Sequence, residues 1–80
     1  MKWSLKEDEI VCAFYLSHTD NWRSNIDLLM GKLKEAGFVV RDENSAKMRV
    51  SNYAFLHTGI GLSNASVQSK NIYVKLNVYN

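Results

Sequence analysis

An all-α bundle of three or four helices is the fold that three observations on this chain predict. Apolar residues recur at helical spacing, most cleanly at Trp22, Ile26, Leu29 and Leu33, whose steps of four, three and four put them on one stripe. Ser4 and Glu7 form a capping-box pair ahead of one apolar run, and Gly37 and Gly59-Ile60-Gly61 stand where helices should stop. Eighty residues with 46% apolar and 22% charged content make one small globular domain, residues 1–80, too hydrophobic for disorder and too short for two cores. A core of this size supplies roughly 3 to 5 kcal/mol without staples.

The first helix should start at Leu5. The Ser4 hydroxyl can take an orphan amide, Glu7 can reach back, and the acids Glu7, Asp8 and Glu9 suit the positive helix end. Its buried side is expected from Ile10, Ala13, Phe14 and Leu16, with Tyr15 at the edge, and it should fade around Ser17 to Asp20. Asp20 is placed to cap the second helix, which carries Trp22, Ile26, Leu29 and Leu33. Gly37 closes that helix after Lys32 and Lys34, whose charges favour the carbonyl end. Phe38, Val39 and Val40 then read as a buried connection or a three-residue strand.

The third helix is expected over about 44–56, with an inward stripe of Ala46, Val50, Tyr53 and Ala54. Met48 and Phe55, seven residues apart, lie on another side, so its polar residues split into Lys47 with Ser51 and Ser45 with Arg49 and Asn52. The segment from Ser63 supports two readings. Ile72, Val74, Leu76 and Val78 alternate as in a strand, while Ala65, Ser69, Ile72, Leu76 and Tyr79 follow a helical stripe with Ser63 as cap. Length favours a helix from about 65 to 76. A strand paired with 38–40 would instead give an α+β, winged-helix-like domain with a small C-terminal sheet.

Charge is distributed unevenly. Residues 1–43 carry six cations against eight acids, whereas everything after Glu43 holds Lys47, Arg49, Lys70 and Lys75 with no acid. A basic element on a mildly acidic small protein is an electrostatic footprint for a polyanion, and duplex DNA is the expected partner. The third helix follows a short turn and can enter a major groove. Asn52 can pair with adenine N6 and N7 and Arg49 with guanine O6 and N7, while Lys47, Lys70 and Lys75 contact phosphates. Lys47 and Arg49 are expected to be exposed. With a net charge of only +2, useful affinity calls for a dimer or a fused domain.

The residues Trp3-Ser4-x-x-Glu7-Asp8, Trp22, Ile26 and Arg41-x-x-x-Ser45-x-x-x-Arg49-x-x-Asn52-Tyr53 resemble the three-helix Myb/SANT-type domain. They are more similar to a variant at the N-terminus of some HNH-type restriction endonucleases, and the match spans about residues 2–73 in loose spacing. The resemblance implies a helix-turn-helix type of bundle with core roles for Trp3 and Trp22. It also implies DNA contact through Lys47, Arg49 and Asn52, with Arg41 and Ser45 near the backbone. A third tryptophan is missing, and the connection from Gly37 to Val40 is longer and more apolar than a Myb turn.

Other functions draw less from the residues. Cys12, inside the apolar run Ile10 to Leu16, reads as a small buried thiol, and no nucleophile has a base at recognisable spacing, so no enzyme is expected. His18, His57 and Cys12 lack metal-ligand spacing, so neither metal nor cofactor is expected, and Gly59-x-Gly61 lacks the Gly-Lys-Ser/Thr ending of a phosphate loop. The longest apolar run is seven residues against the roughly 20 that span a bilayer, and no signal segment is read, so a cytoplasmic protein without membrane contact is expected. The principal alternative to DNA binding is a SANT-type protein-interaction module, with Met48 and Phe55 as an outward apolar patch for a protein partner or a second copy.

Overall fold

The computed structural model describes residues 3–39, 42–60 and 65–78. Four helices follow one another: α1 (Leu5–Ser17), α2 (Ile26–Glu35), α3 (Glu43–Thr58) and α4 (Val67–Val78). The described residues contain no strand. The small C-terminal sheet is therefore absent from residues 65–78, and helical spacing decides that segment. In the link after α2, Phe38 is half-buried against the core as expected, whereas Val39 is 71% exposed, and Val40 lies outside the described residues.

Local chemistry sets the helix ends. Glu7 N–H donates to Ser4 Oγ at 3.2 Å and Ser4 N–H to Glu7 Oε1 at 2.9 Å, completing the capping box that starts α1. After α2, Phe38 N–H reaches Leu33 O at 3.1 Å and Gly37 N–H reaches Lys34 O at 3.0 Å, the paired bonds of a Schellman motif. Gly37 has the positive φ of 87° that this motif requires. α3 starts at Glu43, one residue before the expected start, and Asp42 caps it by accepting from Ser45 N–H at 2.6 Å. The Asp42 carboxyl is held below the ordinary range by hydrogen bonding from Ser45. Ser66 caps α4, accepting from Ser69 N–H at 3.1 Å; Ser63, the expected cap, is outside the described residues.

Gly59 ends α3 at φ 80°, its N–H donating to Phe55 O at 2.8 Å. A Cβ there would meet nothing within 4 Å, so the cost of Gly59→Ala is conformational alone. Urea unfolding should show a loss of about 1–2 kcal/mol. A variant as stable as the parent would show that this turn has no left-handed requirement.

Two expectations about helix placement change. Asp20 does not cap α2. Residues 19–25 form turns, α2 begins at Ile26, and its N-cap Asn25 makes no side-chain cap bond. Asn25 Nδ2 and Ser24 Oγ instead donate to Asn21 O at 2.9 and 3.1 Å, tightening the turn. Trp22 still joins Ile26, Leu29 and Leu33 in the core, because a chain of turns keeps near-helical spacing. On α1 the inward side is Val11, Cys12, Phe14 and Tyr15, with Ile10 and Leu16 half-buried and Ala13 exposed. The run from Ile10 to Leu16 is apolar all round, so its periodicity leaves the helix rotation open and the three neighbouring helices set it.

The single core joins these residues to Ala46, Val50 and Tyr53 of α3 and Ile72 of α4. α3, like α1, touches all three other helices, which leaves only part of its circumference outward.

Candidate functional site

Because α3 is enclosed on several sides, its polar residues fall into two groups. Arg49 turns toward α1. Its guanidinium grips the Asp8 carboxylate in a bidentate pair, Nε to Oδ1 at 2.6 Å and Nη2 to Oδ2 at 2.5 Å, with Asp8 fully buried and the Arg49 side chain 12% exposed. Gln68 Nε2 adds a bond to Asp8 Oδ2 at 2.6 Å and one to Trp3 O at 2.9 Å. Arg49 Nη2 also donates to Ser66 Oγ at 3.2 Å, which ties the α4 cap to the same group. Burial pulls the Arg49 pKa down, but the hydrogen bonds and charge of Asp8 outweigh it and hold the pKa above its ordinary value.

The charge asymmetry acquires a different cause from this geometry. Arg49 pairs with Asp8, Lys75 lies 3.5 Å from Glu9, and Lys47 lies 3.4 Å from Glu43. Three of the four cations of the second half are matched by acids at or before residue 43, two of them on α1. Part of the imbalance between halves is thus taken up inside the fold, by two pairs that join α1 to α3 and α4 and one within α3.

The residues expected to read DNA are therefore dispersed. Arg49 belongs to the buried network, against its expected exposure. Asn52 is 9% exposed, and its Oδ1 has no hydrogen-bond partner among the described residues. Ser45 is half-buried in the first turn, Lys47 shares an exposed pair with Glu43, and Lys70 lies exposed on α4. Arg41 lies outside the described residues.

What α3 does present outward is Asn44, Lys47 and Met48, with Met48 58% exposed and Phe55 half-buried one heptad on. With Arg23 and Ser51 the first three line a cleft of about 270 Å³. Arg23 comes from the turn before α2, its Cζ 4.4 Å from the centre of the Trp22 ring. The guanidinium is thus held on an aromatic face while its N–H edge stays available. Sequence reading missed Arg23 and Asn44 because each stands among polar residues, where periodicity marks nothing. A larger trough, formed by concavities of about 480 and 620 Å³ sharing Ile10, Ala13 and Ala36, runs along the outer side of α1. No large apolar side chain is exposed in it.

No protein-family model, no curated protein and no solved structure matches the chain. Among the described residues, no three His, Cys, Asp or Glu side chains converge as metal ligands would, and no helix is long and apolar enough to cross a membrane.

Cys12, fully buried on α1, has its thiol pKa pushed up to about 12, first by burial and then by the charge of Asp8. The thiolate nucleophile is thereby suppressed. A raised folded-state pKa gives stability that is present below the ordinary thiol value of 9.0 and is lost as pH climbs from there toward about 12. Tyr53, raised first by burial and then by Asp8, acts in the same direction. The urea midpoint should fall as pH rises above 9.0, and Cys12→Ala should flatten the fall. A midpoint unchanged between about pH 9 and 11 would contradict this linkage.

Proposed function

We propose that this chain is a protein-interaction module working through the outward side of α3. One observation carries the reading: the outward side is apolar at Met48, 58% exposed, while the arginine and asparagine suited to base readout face inward. Within it, α2 and α3 act as a helix-turn-helix pair of SANT type, joined through Gly37 and Asp42, and the protein works in the cytoplasm. Duplex-DNA binding keeps Lys47 and Lys70 as accessible cations, with Asp42 and Glu43 at the leading end of α3 opposing phosphate approach.

The test compares the parent with Met48→Asp, a change at an exposed position that should leave the fold intact. Proteins cross-linked to each in a lysate are identified, and binding is then reconstituted from purified components. A partner that binds the parent and is lost with Met48→Asp is expected; a concentration-dependent mass would identify that partner as a second copy. Binding to a random 20-base-pair duplex that weakens more than about tenfold between about 50 and 200 mM salt, with no Met48-dependent partner, would overturn the proposal in favour of DNA.

A further inference from the structure

Resting on that reading, the cleft beside Met48 has a chemistry that specifies its occupant. We propose that Arg23, Asn44 and Lys47 receive the carboxylate of an acidic residue on a partner segment whose neighbouring apolar side chain covers Met48. Arg23 is stacked on Trp22, and no carboxylate among the described residues pairs with it, so a planar fork of donors stands oriented and unused. Lys47 brings a second cation from a different element, and the Asn44 amide a neutral donor. The Lys47 pair with Glu43 is solvent-exposed at 3.4 Å, the kind of contact worth about 0 to 1 kcal/mol, so the ammonium can be shared with an incoming acid.

Charge complementarity therefore selects an anion, and the surroundings select its source. Asp42 and Glu43, both exposed at the N-terminal end of α3 just before Asn44, repel the extended negative field of a phosphate backbone but cost one localised carboxylate little. About 270 Å³ is ample for a carboxylate and part of its side chain. Met48, on the rim, offers apolar area to the residue beside the acid.

The test is a titration of the isotopically labelled protein followed by nuclear magnetic resonance, using the blocked tetrapeptides Leu-Glu-Glu-Leu and Leu-Gln-Gln-Leu. Saturable shifts of the Arg23 side-chain N–H and the Asn44 amide are expected with the acidic peptide. Affinity should be about fivefold or more weaker for the glutamine peptide, and likewise for the acidic peptide with Arg23→Gln. Equal affinity for both peptides, with shifts confined to Met48, would overturn the carboxylate site while leaving the interaction surface standing. No saturable shift at any of these residues would overturn both. Inorganic phosphate or a duplex shifting Arg23 and Asn44 more strongly than the acidic peptide would overturn the carboxylate site in favour of a phosphate ligand.

Discussion

Replacing Arg49 by alanine is expected to cost about 3–5 kcal/mol, the loss seen when one partner of a buried ion pair is removed. Asp8 is fully buried, and Arg49 supplies both oxygens of its carboxylate with a donor; without the guanidinium, Oδ1 loses its Arg49 donor and Oδ2 keeps Gln68 Nε2. The expected cost equals the roughly 3 to 5 kcal/mol that a domain of this size commands, so the variant should be largely unfolded in buffer. Circular dichroism and urea titration check this directly. A double change to Asp8→Leu and Arg49→Met should recover much of the loss, because apolar replacement of a buried pair is often neutral or better. A stable Arg49→Ala protein, within about 1 kcal/mol of the parent, would show that the network is solvated and that Arg49 is free for an external ligand. Charge reversal at Arg49 is accordingly no test of DNA contact, since lost binding would report lost folding. Arg23→Glu with Lys47→Glu asks that question outside the buried network, at the exposed Arg23 and the half-buried Lys47.

Trp22→Ala should have an effect of similar size, about 3–5 kcal/mol for a large core truncation. Trp22 is 8% exposed and belongs to the same core as Ile26, Leu29 and Leu33, yet it stands in the turns before α2, so no helix hydrogen bond depends on it. The cost should therefore arise from lost packing alone, and Trp22→Phe should restore part of it. A barely destabilised alanine variant would mean that the turns close without the indole. Trp22 is also the face on which Arg23 lies, which couples this prediction to the cleft. In the phenylalanine variant, folded but with a smaller ring, the Arg23 side-chain resonance should move while Lys47 stays in place.

How much of the candidate site was legible can be judged residue by residue. Met48 as an outward apolar side chain and Lys47 as an accessible cation followed from spacing alone, because an unpaired helix side is a local property of i, i+3 and i+4 neighbours. Arg23 and Asn44 were not legible: their convergence depends on how the turn over 19–25 folds back beside α3. Arg49 and Asn52 were placed on the wrong side of the helix wall for the same reason. Their polarity marked them as outward, and the acid that draws Arg49 inward lies 41 residues away in the chain.

By itself the sequence determined three helical segments and several of their ends, since the Ser4 box, the Gly37 motif and the Gly59 stop are made of hydrogen bonds between residues a few positions apart, and it left the last segment open between helix and strand. It also determined the inward stripes of α2 and α3, where apolar and polar residues alternate at the helical period. Only the tertiary structure decided the rotation of α1, the pairing of Asp8 with Arg49 and Gln68, and therefore which charges reach solvent. An all-apolar run carries no phase, and an ion pair between distant helices leaves no periodic trace. Both are settled when the helices pack and a charge denied water must find its partner.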